Sequence, residues 1–152
     1  MTKLVSRTDR EPVPRAFKLL TRLASATIKY IDTRFYQELR TSFIKYLVLQ
    51  GLTLNGGKAK HSEIAVWTNT KKHNITALVD RMKKEQLVTT EWSQTDRRVN
   101  YIVITDKGRK VYKQSTPIDR KIVQELMFGL SVNDARELER LLNIIKQNIE
   151  RH

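Results

Sequence analysis

The sequence predicts a mainly α-helical chain with one small β-hairpin past its midpoint. Three observations carry this. Apolar residues recur at helical spacing over most of the chain. Strand-like character is confined to residues 88–92 and 100–104. Between those two runs lies a short polar break, Ser93-Gln94-Thr95-Asp96-Arg97-Arg98, which reads as the loop of a hairpin.

The elements follow in order. Residues 1–14 carry Pro12, Pro14 and alternating charges without periodicity, and read as a flexible basic arm. From Arg15 to about Leu39, Phe17, Leu20, Leu23, Ala24, Ile28, Ile31 and Phe35 form a helical stripe, and Leu19, Ala26 and Tyr30 widen it beyond one face. A second helix is expected from about Thr41 to Leu52, closed by Asn55-Gly56-Gly57. Ser62 is placed to cap a short third helix.

The fourth helix, about Thr70 to Glu85, has Ile75, Leu78, Val79 and Met82 at i, i+3, i+4 and i+7, which is a single buried face. After the hairpin, Thr105 is placed to cap a fifth helix running towards Phe128, with Asp106 favourable at its positive end and Gly108 permitting close packing. Pro117 is expected to kink or restart that helix. Ser131-Val132-Asn133-Asp134 resembles a capping arrangement for a last helix, with Leu138, Leu141, Leu142, Ile145 and Ile149 on one side.

Charge narrows the function. The 152 residues hold 29 Lys and Arg against 16 Asp and Glu, a net charge of +13. Residues 1–57 hold 10 basic and 4 acidic side chains, residues 58–113 hold 13 and 6, and residues 114–152 hold 6 of each. The excess is therefore clustered, which is the electrostatic footprint of a polyanion binder rather than of solubility alone. There is no cysteine, so disulfide scaffolds, thiolate metal sites and Cys nucleophiles are excluded. No apolar run approaches the roughly 20 residues that span a bilayer. A cytoplasmic location without membrane association is the expectation.

Three helices followed by a two-stranded wing is the order of a winged helix-turn-helix domain. Five segments carry a closer likeness: His61-Ser62-Glu63-Ile64-Ala65, Thr70 through Met82, Leu87-Val88, Asp96-Arg97-Arg98 and Ile104-Thr105-Asp106-Lys107-Gly108. Together they resemble the MarR family of bacterial and archaeal transcription regulators. The Asp-Arg-Arg wing, followed by a strand ending in Thr-x-Lys-Gly, is the most specific mark, and the resemblance spans about residues 15–150. Two departures stand out. Gln86 occupies a position where the family usually has Gly, and Thr89 and Thr90 stand where a basic residue is common.

The resemblance implies a winged helix-turn-helix lobe at residues 41–105, flanked by an N-terminal dimerisation helix at 15–40 and C-terminal dimerisation helices at 106–152. It implies a homodimer acting on double-stranded DNA, a repressor on a pseudo-palindromic operator, its two recognition helices about 34 Å apart. The apolar stripes of the first and last helices are the expected seam, because so small a lobe cannot cover three long stripes. On the recognition helix, Thr70, Lys71, Lys72, His73, Asn74, Thr76, Ala77 and Arg81 are the candidate contacts. Asn74 is suited to adenine, and Thr76 or Ala77 to a thymine methyl. Arg81 is either a phosphate clamp or an internal partner of Asp80 or Glu85. In the wing, Arg97 and Arg98 would enter the minor groove, with Asp96 orienting one of them.

Family members often bind small aromatic anions between dimer helices and DNA-binding lobe. Tyr30, Phe35, Tyr36, Phe43, Tyr46 and Trp67 are the candidates to line such an effector pocket, against the alternative that each simply fills the core. No metal or cofactor is expected: His61, His73 and His152 are the only histidines and no acidic cluster joins them. Two other readings remain. One is a winged-helix architectural or assembly protein without operator choice. The other is an enzyme, although no nucleophile–base–orienter set and no Gly-rich phosphate loop is found.

Overall fold

The computed structural model describes residues 11–151; the first ten residues of the expected arm, and His152, lie outside the described residues. The chain forms α1 (Pro12–Leu39), α2 (Phe43–Leu54), β1 (Lys58–Lys60), α3 (His61–Trp67), α4 (Lys72–Lys84), β2 (Val88–Trp92), β3 (Asn100–Ile104), α5 (Asp106–Leu126) and α6 (Val132–Glu150). It divides into two compact units, the first ending at Ile118 and the second beginning at Asp119.

α1 starts at Pro12, three residues before the periodicity indicates, with proline in its first turn, where a missing N–H leaves no bond unmade. Pro12 and Pro14 therefore belong to a helix, not to an arm. α1 ends at Arg40, which takes a left-handed conformation and donates its N–H to the Tyr36 carbonyl. The Asp32 side chain then accepts the Phe43 N–H at 2.8 Å and satisfies the start of α2.

The core of the first unit lies between α2, α3, α4 and the sheet. Val48, Leu49 and Leu52 of α2, Ile64 and Ala65 of α3, and Ile75, Leu78, Val79 and Met82 of α4 meet Leu87, Val88, Ile102 and Ile104. The four α4 residues are those at the i, i+3, i+4, i+7 positions. Each fully buried aliphatic side chain of this kind contributes about 1.5–3 kcal/mol.

The sheet has three antiparallel strands in the order β1-β3-β2. Its hairpin register pairs Val88 with Ile104, Thr90 with Ile102 and Trp92 with Asn100. β1, which the sequence does not announce, pairs Lys58 with Val103 and Lys60 with Tyr101. Three residues with a single apolar member, Ala59, are too few to show an alternation.

One cap, one helix start and one helix break differ from expectation. Ser62 does not cap α3: the helix begins at His61, Lys60 holds the N-cap position, and the Glu63 carboxylate reaches back to accept the Lys60 N–H at 2.7 Å. Thr70 is not in α4. It lies in the turn before, where Asn69 is left-handed and the Thr70 N–H bonds the Ala65 carbonyl. Pro117 does not divide the fifth helix, since α5 runs through it. The carbonyl that Pro117 leaves without a donor belongs to exposed Lys113, where water can take its place.

In the second unit, Ser131 and Asp134 form the expected reciprocal cap. The Ser131 Oγ accepts the Asp134 N–H at 3.1 Å, and the Asp134 carboxylate accepts the Ser131 N–H at 2.8 Å. These bonds hold the Asp134 carboxyl below its usual range. α6 is amphipathic, yet none of its residues is buried, and only Phe35 is buried on α1.

Candidate nucleic-acid interface

The candidate interface is built on α4. Burying Ile75, Leu78, Val79 and Met82 forces the opposite side of the helix outward. Lys71, Lys72, His73, Asn74, Thr76, Ala77 and Arg81 are accordingly all exposed. Lys71 sits at the N-cap position and Lys72 starts the helix, so the basic groups stand at its first turn. Thr76 Oγ1 donates back to the Lys72 carbonyl at 3.2 Å. Glu85 does not pair with Arg81: both its carboxylate oxygens bond Lys45 Nζ, at 2.6 and 2.8 Å. No ion pair involving Arg81 occurs among the described residues.

The end of α4 is fixed by the segment that follows the wing. Gln86 takes a left-handed conformation at φ 63°, with its N–H on the Lys83 carbonyl and the Leu87 N–H on the Met82 carbonyl. Thr105 Oγ1 bonds the carbonyls of Gln86 and Leu87 and accepts the Gly108 N–H at 3.0 Å, so it also caps α5 as its position indicates. Lys107 Nζ reaches the Glu85 carbonyl at 2.8 Å. Gly108 has no room for a side chain, because the Leu87 carbonyl stands where a Cβ would be. The Thr-x-Lys-Gly stretch is thus a clamp that ties the wing to the recognition helix.

The wing tip is held by its own polar groups. Ser93 and Val99 close it through the Ser93 N–H and the Val99 carbonyl, and Ser93 Oγ accepts the Asp96 N–H at 3.2 Å. Asp96 Oδ1 accepts the Arg98 backbone N–H at 3.0 Å and lies 3.6 Å from Arg98 Nε. Asp96 therefore shapes the backbone that carries Arg98, and its ion pair with the guanidinium is long. The Arg98 side chain is 94% exposed. Arg97 is exposed too.

A hollow of about 450 Å³ lies between the start of α3, the first turns of α4 and the foot of the wing. Lys72, Thr76 and Arg98 line it together with Lys60, His61, Ser62 and Asn100. The sequence singles out only the first three for binding. The other four come to the site through the pairing of β1 with β3, which no periodicity reveals. Burial lowers the His61 pKa; the Asn100 backbone carbonyl, which the ring bonds, opposes this, and Lys72 adds to it.

The aromatic candidates divide. Phe35, Phe43 and Tyr46 pack together with Tyr112, ring centroids 5.1–6.1 Å apart, and Phe35 and Tyr46 are buried. Tyr30 and Tyr36 are exposed on α1, each with an arginine, Arg34 and Arg40, over its ring. Trp67 stands apart from that cluster: its indole N–H bonds the Leu47 carbonyl at 3.0 Å and its ring lies against Gly51. Among the described residues no helix is long and apolar enough to cross a membrane.

No protein-family model matches the chain. Over 94 residues it is 32% identical to the HTH-type transcriptional repressor IacR of Pseudomonas putida, a stretch that covers 62% of this chain and 56% of that protein. The chain thus spans little more than half the length of that relative. The MarR family transcriptional regulator AbsC of Streptomyces coelicolor superposes with a TM-score of 0.85 at 20% identity, covering 99% of this chain and all of that one. Sco3205 of the same organism, a MarR family regulator solved in complex with DNA, superposes with a TM-score of 0.85 at 16% identity, covering 97% of this chain and 91% of the other. The chain has the winged helix-turn-helix fold of the MarR family transcriptional regulators.

Proposed function

We propose that this protein is a sequence-specific, double-stranded-DNA-binding transcriptional repressor that acts as a homodimer on a pseudo-palindromic operator. One observation carries the reading. The outward side of α4 combines hydrogen-bonding and basic groups on a helix anchored by four buried residues, and the same clamp that ends α4 holds the arginine-tipped wing. That arrangement supplies base contacts from the helix and phosphate or minor-groove contacts from Arg97 and Arg98. Two similar proteins, the Pseudomonas putida repressor and the Streptomyces coelicolor regulator crystallised with DNA, point the same way.

Exposed apolar side chains support the dimer. α6 carries Leu138, Leu141, Leu142, Ile144, Ile145 and Ile149, all exposed, and α1 exposes Val13, Phe17, Leu19, Leu23 and Ile28. Two helices with apolar sides left in water call for a second copy to cover them. A small aromatic or anionic ligand releasing the DNA belongs to the same proposal. Its seat is the side of the Phe35–Phe43–Tyr46–Tyr112 cluster where Phe43 and Tyr112 remain half-buried.

Selection of bound fragments from random duplex DNA tests this reading. An inverted repeat with half-sites one helical turn apart is the expected product. Recovery of unrelated duplexes at equal affinity indicates architectural binding instead.

A further inference from the structure

The hollow at the foot of the wing adds to Lys72 and Thr76 of the recognition helix four residues that major-groove reading does not use, Lys60, His61, Ser62 and Asn100. Lys60, Lys72 and Arg98 bring three cations to it, Ser62 and Thr76 bring two hydroxyls, and no carboxylate lines it. Neither Lys60 nor Lys72 forms an ion pair among the described residues. Glu63, the nearest acidic neighbour in sequence, is turned to the Lys60 backbone N–H.

The place of the hollow matters as much as its composition. It separates the recognition helix from the wing. A DNA strand read by α4 in the major groove and by Arg98 in the minor groove must carry its backbone past this point. Trp92, 66% exposed, offers an apolar wall for a sugar there.

We propose that this hollow seats one DNA backbone phosphate, held by Lys60, Lys72 and Ser62, and that His61 takes up a proton as the phosphate arrives. The inference rests on the DNA-binding reading above and adds a regulation to it: affinity rises as pH falls.

The direction follows from the groups around His61. Burial, and the positive charges of Lys72 and Lys83 on α4, disfavour the imidazolium. Asp80 on α4 and the Asn100 carbonyl on β3 favour it. From the strand before, the wing and its own helix, Lys60, Arg98 and Glu63 complete the charged surroundings. In the free protein the ring is held neutral below its ordinary value near 6.5. A phosphate in the hollow reverses the balance, because it offsets the lysine charges and offers an acceptor to a second ring N–H. The complex therefore binds a proton that the free protein does not. Log affinity gains up to one unit per pH unit and per subunit as pH falls through that window, then levels off once the free ring is itself protonated.

The test measures affinity of the full chain for a duplex returned by selection, and for a random-sequence duplex of equal length. It runs from pH 5.5 to 8.0 at fixed ionic strength, with wild type, His61→Gln and His73→Gln; helical content of each variant is checked by circular dichroism. His73, exposed on α4, is the other histidine of the interface and is the necessary control. The expected result is an affinity that rises as pH falls, by up to about tenfold per pH unit per engaged subunit, in wild type and His73→Gln, and a flat profile in His61→Gln. Lys60→Gln, which leaves the ring in place, is expected to lower the salt slope by about one. A flat wild-type profile, a dependence that survives His61→Gln, or one lost with His73→Gln overturns the proposal while operator preference stands. Equal affinity for both duplexes at every pH overturns the reading on which it rests.

Discussion

The Thr105 hydroxyl lies 2.7 Å from the Gln86 carbonyl oxygen and 3.0 Å from that of Leu87, and so joins the end of β3 to the turn that closes α4. It also accepts the Gly108 N–H, so one side chain serves a turn, a strand end and a helix start. Thr105→Val keeps the shape and removes all three bonds. It is expected to lower stability by about 1–3 kcal/mol, read as a lower denaturant midpoint with an unchanged slope. Unaltered stability contradicts the clamp.

Gln86 holds a left-handed conformation that glycine adopts without strain. Its side chain is exposed, so little packing is lost on removing it. Gln86→Gly is therefore expected to raise stability by about 1 kcal/mol, seen as a higher thermal midpoint. A fall shows that the Gln86 side chain contributes more than its exposure indicates.

Arg98→Ala is expected to weaken DNA binding and leave the dimer intact, because the side chain projects into solvent from a loop held by Ser93 and Asp96. Anisotropy titration and light scattering on the same sample check both halves. Undiminished affinity means that the wing is idle.

Removal of the chain after Gly129 deletes α6, whose apolar side chains are exposed in the single chain. The truncated protein is expected to run as a monomer or to aggregate. Sedimentation of a well-behaved dimer contradicts the assignment of α6 to the seam.

What was legible in the sequence follows a physical division. The buried side of α4 and the two wing strands were legible because periodicity is a direct consequence of one-sided burial. Ile75, Leu78, Val79 and Met82 lie as spaced, and β2 and β3 fall on Val88–Trp92 and Asn100–Ile104. Thr105 and Ser131 were legible as caps because each sits directly before a helix with a partner three residues on.

Ser62 misled, because the competing Glu63 carboxylate satisfies the Lys60 N–H and moves the helix start back to His61. Pro117 does not restart the helix, because a single missing bond at exposed Lys113 does not outweigh the helix on either side. The hollow that brings Lys60, His61 and Asn100 beside Lys72 was not legible at all. It depends on a three-residue strand pairing across about forty residues of chain, which leaves no local pattern.

The central claim is that the exposed side of α4 reads bases, and the base preference of Asn74→Ala measured by selection from random duplexes tests it most directly. The account predicts an inverted repeat that keeps its spacing but loses choice at one position in each half-site, with binding to the wild-type operator weakened by about 1–3 kcal/mol. A preference identical to wild type at every position contradicts it.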